Sequence, residues 1–257
     1  MGALLNDLNQ LVLAHLEWIN LLCLFWFLAC WIGYSRYARH MAKKTECIAS
    51  VMHSLRLDWM RQVLHREQRV SDTSIIANLE RNVSFMASTS ILVLAGLLTV
   101  MASAAQVTEL LARMPISLST TAEQLQLKLL LLVCVFIYAF FTFTWSLRQF
   151  GFCSVIIGAT PVFAVEKLSP EQQQTYAQHS GKVLDQAAHS YNYGLRAYYF
   201  AMSVLAWFIH PLLFVAAVAL VVAILFRREF HSSTLSALAV VDQEWPRVNS
   251  ECQSIED

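Results

Sequence analysis

The sequence predicts an all-α fold, a polytopic membrane helix bundle, and three observations predict it. Of 257 residues, 57% are hydrophobic and only 14% are charged, against ~25% charged in soluble domains. Four apolar runs are long enough to cross a bilayer, which takes ~20 residues. The segments between them carry helical rather than strand periodicity. Mean hydropathy is +0.49, and a soluble domain could not cover that much apolar surface. The same composition excludes a disordered chain. Lysine plus arginine, 18, equals aspartate plus glutamate, 18. Without a basic footprint, no nucleic-acid partner is expected.

The first run spans about 16–34, with Trp18 and Trp31 as interface anchors. No lysine or arginine precedes it, so it reads as a retained anchor rather than a signal peptide. The second, about 85–105, is uncharged; the third, about 125–145, holds Lys128 near its start. The fourth, about 198–226, is long enough to cross with tilt. These four crossings make one membrane domain over 1–232, followed by a polar tail, 233–257, expected to be flexible. A shorter run, Phe150 to Val165, is punctuated by Gly151, Gly158 and Pro161 and is not expected to cross.

Charge sets the expected orientation. Residues 35–82 carry Arg36, Arg39, Lys43, Lys44, Arg56, Arg61, Arg66, Arg69 and Arg81, whereas 106–124 carry only Arg113. By the positive-inside rule the first connection is cytoplasmic and the second is outside. The third, with Arg148, Lys167, Lys182 and Arg196, falls inside, and both termini fall outside. Arg227 and Arg228, at the end of the fourth run, fit that orientation poorly. The expected topology is multi-pass, with the N-terminus outside.

The cytoplasmic connections are predicted to be ordered. Ile48, Val51, Met52, Leu55, Trp59 and Val63 form an apolar helical stripe. Ser71-Asp72-Thr73-Ser74 reads as a break and N-cap before a helix over about 74–105. Ser169-Pro170-Glu171-Gln172 reads as a second helix start, with a capping serine, proline at the first helical position and glutamine at the third.

Candidate functional residues fall into two groups. Within the apolar runs, His210, Lys128, Thr99 and Ser103 are candidates for a solute or proton path. Ionisable groups at membrane depth are costly and usually face protein or water. Pro211 also frees a backbone carbonyl one turn earlier, near Trp207. Ala95, Thr99 and Ser103 form a small-residue stripe suited to close helix packing or a pore lining. At the expected cytoplasmic interface, Trp145, Arg148, Arg196, Tyr198, Tyr199 and Arg228 are candidates for anion or lipid binding, or for structural contacts. Arg148 and Arg196 are expected at one membrane level.

No cofactor and no metal are expected. The six cysteines, at 23, 30, 47, 134, 153 and 252, include no C-x-x-C pair. His179 and His189 lack ligand spacing, and no catalytic motif or glycine-rich phosphate loop is present. The protein is therefore not expected to be an enzyme.

The stretch Phe140-Phe141-Thr142-Phe143-Thr144-Trp145-Ser146-Leu147-Arg148-Gln149-Phe150, followed by Gly158-Ala159-Thr160-Pro161, resembles the bacterial branch of domain-of-unknown-function family 599. So do Tyr193-Gly194-Leu195-Arg196-Ala197-Tyr198-Tyr199-Phe200, Trp207, His210-Pro211 and Arg227-Arg228-Glu229-Phe230. The second run contributes Met86-Ala87-Ser88-Thr89-Ser90-Ile91-Leu92. The resemblance covers about 34–232 and implies a multi-spanning protein of the bacterial inner membrane, with no reaction or catalytic residue to carry over. Two functional classes lead: a small-solute or ion channel or transporter working as a homo-oligomer, and a membrane-anchored interaction protein with a cytoplasmic docking layer. Membrane lipids, including anionic headgroups, are expected partners in either case.

Overall fold

The computed structural model describes residues 2–42, 44–112, 122–162 and 164–244. Among these all the regular structure is helical: α1 (Gly2–Met41), α2 (Ile48–His65), α3 (Val70–Ala102), α4 (Ala104–Ala112), α5 (Ala122–Ala159), α6 (Ala164–Lys167), α7 (Pro170–Trp207), α8 (Pro211–Phe230) and α9 (Ser233–Glu244). Four segments are long and apolar enough to cross a membrane: Trp18–Met41, Val70–Ala102, Glu123–Ala159 and Pro211–Asp242. Arg113, within 113–121 of the second connection, and Cys252 in the C-terminal segment lie outside the described residues.

The helix starts follow local chemistry. Ser169 Oγ accepts the Gln172 N–H at 3.3 Å, and Gln172 Oε1 accepts the Ser169 N–H at 2.9 Å, the reciprocal cap expected from the sequence. Cys47 precedes α2, and its own N–H is held by Ser50 Oγ at 2.9 Å. The break before α3 falls at 66–69 rather than at Ser71–Ser74. Asp72 therefore lies in the first turn of α3, where a carboxylate favours the helix dipole.

The chain divides into two compact units. The first comprises Met1–Met41, Val93–Phe136 and Ala197–Phe226. Its centre is aromatic: Phe27, Phe200 and Phe214 are fully buried. Phe27 meets Phe200 edge-on at 5.9 Å and stacks near Phe214 at 6.0 Å, while Trp207 stacks on Phe214 at 4.6 Å. A second cluster joins Ala104, Leu125 and Leu129 with Met101 and Phe208.

The second unit comprises Ala42–Leu92, Ile137–Arg196 and Arg227–Asp257. Within it α5 and α7 run antiparallel: Phe143 meets Tyr191 at 5.8 Å, and Ser146 Oγ donates to the Ala187 carbonyl at 2.7 Å. Gly194 permits this closeness, since a Cβ there would stand 2.4 Å from Phe143 Cε1. Arg69 binds the end of α5, its two terminal nitrogens donating to the Thr160 and Pro161 carbonyls and its Nε to the Val63 carbonyl.

Three sequence expectations change. The fourth run, 198–226, is not one helix: it breaks at 208–210, between α7 and α8. Pro211 has no N–H to continue the α7 ladder, so the helix ends and a new one begins at the proline. The run from Phe150 is no separate segment but the continuation of α5 to Ala159. Residues 233–244 of the predicted flexible tail form α9, which packs on α2, with Ser54 Oγ donating to Asp242 Oδ1. Glu229 likewise accepts the Ala49 N–H at 3.2 Å. These contacts overturn the expectation that the 35–82 connection and the C-terminal segment lie on opposite faces.

Two outcomes follow. A topology reporter after Asp242 and one inserted between α1 and α2 score on the same side; opposite scores would contradict the packing of α9 on α2. Gly194→Ala lowers the stability of the detergent-purified protein by about 1–3 kcal/mol, by overpacking against Phe143. Phe143→Leu in the same chain recovers part of that loss, as thermal unfolding will show.

Candidate functional site

Lys128 is the one lysine among the described residues that is buried, 6% exposed, within the apolar unit. A lysine at bilayer depth costs about 3 kcal/mol on insertion scales. Its Nζ donates to the Trp207 carbonyl at 3.0 Å and lies 5.6 Å from the centroid of the Trp207 ring. That carbonyl is the acceptor that the missing N–H of Pro211, four residues on, leaves open. The lysine thus replaces a lost backbone bond. No carboxylate among the described residues pairs with it. The Trp207 Nε1–H is buried and without a hydrogen-bond partner among the described residues. Lys128 and Trp207 together present donors in excess of acceptors, so the arrangement can accept an anion or another strong acceptor.

His210 lies in the α7–α8 break rather than mid-helix. Its Nδ1 accepts the Leu212 N–H at 3.1 Å, and its carbonyl accepts the Phe214 N–H at 3.1 Å, so it caps the start of α8. Thr99 and Ser103, the latter just past the end of α3, bond back to α3 carbonyls, of Ala95 at 2.9 Å and of Thr99 at 3.1 Å. Ala95 and Thr99 are exposed and Ser103 half-exposed, so the stripe is not gathered around Lys128 within this chain.

The interface group is dispersed. Arg196 sits 3.9 Å from Glu229 and over the Tyr193 ring at 5.7 Å. Arg148 is exposed and lies over the Phe152 ring at 5.7 Å. In the α5–α7 pairing Ser146 faces Ala187, which puts Arg148 about three turns, roughly 16 Å, from the level of Arg196. The expectation of one arginine level is thereby corrected: the antiparallel register separates them. Tyr198 packs edge-on to Phe136 at 5.0 Å. Trp145, Tyr199 and Arg228 are exposed.

Sequence reasoning missed two polar assemblies in the second unit. Asp185, 7% exposed, accepts Arg56 Nη1 at 2.7 Å and also pairs with His53 Nδ1. Fully buried Asp72 accepts Trp59 Nε1–H at 2.7 Å and an Arg66 guanidinium N–H. His53 and Arg56, three residues apart on one face of α2, were the available signal for the first. His189 lies one turn from Asp185; its ring reaches solvent, yet the surrounding helices desolvate it and hold its pKa below the ordinary histidine range. Asp185 and Glu229 oppose that shift, and Arg56 and Arg196 reinforce it. Desolvation also raises the Tyr176 pKa, against a hydrogen bond with Thr160.

Lys128→Met leaves the Trp207 carbonyl without its donor and costs about 1–3 kcal/mol. In a Pro211→Ala background, where residue 211 again has an N–H, the same change costs less. Additive losses in this double-mutant cycle would contradict the replacement. For His189 the folded pKa is lowered, so the unfolded chain binds more protons in the window between the two values. Stability therefore falls as pH drops through ~6.5 and levels off below the folded pKa. His189→Gln flattens that part of the pH–stability curve; an unchanged slope would count against the assignment.

No curated protein and no solved structure shows significant similarity to the chain. The model of the family described as protein of unknown function, DUF599, matches residues 22–234, which includes Lys128, Trp207 and the α7–α8 break. The chain belongs to the DUF599 family.

Proposed function

We propose that this protein is a multi-pass inner-membrane protein that moves a small anionic solute, works as a homo-oligomer, and uses Lys128 as the cation that binds the solute. The observation that carries this reading is the buried Lys128 ammonium, held by a neutral carbonyl and an aromatic ring with no carboxylate among the described residues. An uncompensated cation in an apolar unit is expensive, and an anion offsets that cost when it binds. In the proposed orientation the N-terminus is outside and α2, α9 and the Arg227–Arg228 pair are inside; α1, α3 and α5 cross, and α7 and α8, turning at the 208–210 break, enter and leave from the inside. That orientation accords with the positive-inside rule and removes the misfit of the arginine pair. The exposed Ala95–Thr99–Ser103 face suits a contact between copies.

A second reading, a docking protein, is favoured by Val240 and Val241, exposed on α9. Flux separates the two. Proteoliposomes holding the wild-type protein pass chloride, nitrate or formate above the empty-vesicle rate. Lys128→Gln, which keeps a donor for the Trp207 carbonyl but loses the charge, lowers that flux at least about tenfold. Wild-type flux at background for all three anions would overturn the transport reading in favour of docking.

A further inference from the structure

The first unit has an open cleft of about 510 Å³ between α1 and α8. Its floor is made of small residues one turn apart: Ala29 and Gly33 on α1, Ala219 and Ala223 on α8. One end is flanked by Tyr37 and Phe226, whose rings lie 6.2 Å apart. At that end the chemistry changes. Gly33, Arg36, Tyr37 and His40 recur at i, i+3, i+4 and i+7, one face of α1, so the face that lines the cleft continues into Arg36 and His40, both exposed. A groove that is apolar along its length and cationic at its mouth matches an amphiphile with an anionic head.

We propose that this cleft is a binding site for an anionic phospholipid. One acyl chain lies along the floor of small residues, and the phosphate sits on Arg36 and the His40 imidazole. Small residues let the chain approach both helix backbones closely, and the guanidinium supplies paired donors to phosphate oxygens. The ring pair marks the boundary between chain and headgroup, the level at which aromatic side chains prefer to sit. This site is independent of Lys128 and of the transport reading.

The test uses the full chain in detergent, with phosphatidylglycerol and phosphatidylcholine added in turn, and native mass spectrometry as the readout. The wild-type protein retains phosphatidylglycerol in preference to phosphatidylcholine. The Arg36→Gln/His40→Gln variant binds phosphatidylglycerol about tenfold more weakly and loses the preference. Gly33→Leu weakens both lipids, because it fills the cleft; a Cβ at Gly33 meets nothing within 4 Å, so the fold accommodates it. Equal retention of the two lipids by the wild type, or Gly33→Leu binding that matches the wild type, would overturn the proposal. A wild-type dimer without lipid that Gly33→Leu converts to monomer would also overturn it, and would assign the cleft to a second copy.

Discussion

The hydrogen bond from Lys128 to the Trp207 carbonyl is the constraint on which the arrangement of the first unit depends. Proline at 211 ends α7, and the carbonyl it strands would be an unmet acceptor in an apolar setting. An unmet group of that kind costs several kcal/mol in lipid. The lysine meets it, and in doing so secures a break that lets α8 start at once. Phe200 before the break and Phe214 after it then pack on the same residue, Phe27. Without the break, 198–226 would be a single rod, and these two rings could not both reach one partner.

The second unit is held differently. Its apolar residues interleave, but its buried carboxylates fix which helices meet. Asp185 on α7 takes Arg56 and His53 from α2, and Asp72 on α3 takes Trp59 and Arg66 from α2 and its C-terminal end. Buried pairs of this kind contribute little net stability against an apolar substitute, but losing one partner leaves an uncompensated charge and is strongly destabilising. They specify α2 against α3 and α7. Arg69, spread over three carbonyls, does the same for the end of α5.

Much of this was legible in the sequence. The apolar runs located four membrane-length segments because composition alone decides that property. The Ser169–Gln172 cap was readable because both partners lie within one turn. Pro211 even indicated which carbonyl would be stranded. Its partner was not readable, because Lys128 is far away in sequence and only tertiary packing brings it close. The break itself was hidden by composition, since the residues on both sides of His210-Pro211 are equally apolar. Arg148 and Arg196 looked level because each sits near the end of an apolar run, whereas the antiparallel register of α5 and α7 sets their depth. The α9 helix was missed because a short, mildly amphipathic segment gains its order from α2 rather than from its own propensity.

The most direct measurement is solid-state NMR on the protein in bilayers, with ¹⁵N at Lys128 Nζ and ¹³C at the Trp207 carbonyl. The account predicts a dipolar contact between the two, consistent with a Nζ-to-oxygen distance of 3.0 Å, and a carbonyl shift that moves when Lys128 is replaced by methionine. Absence of the contact, with a Trp207 carbonyl shift indifferent to that replacement, would contradict it.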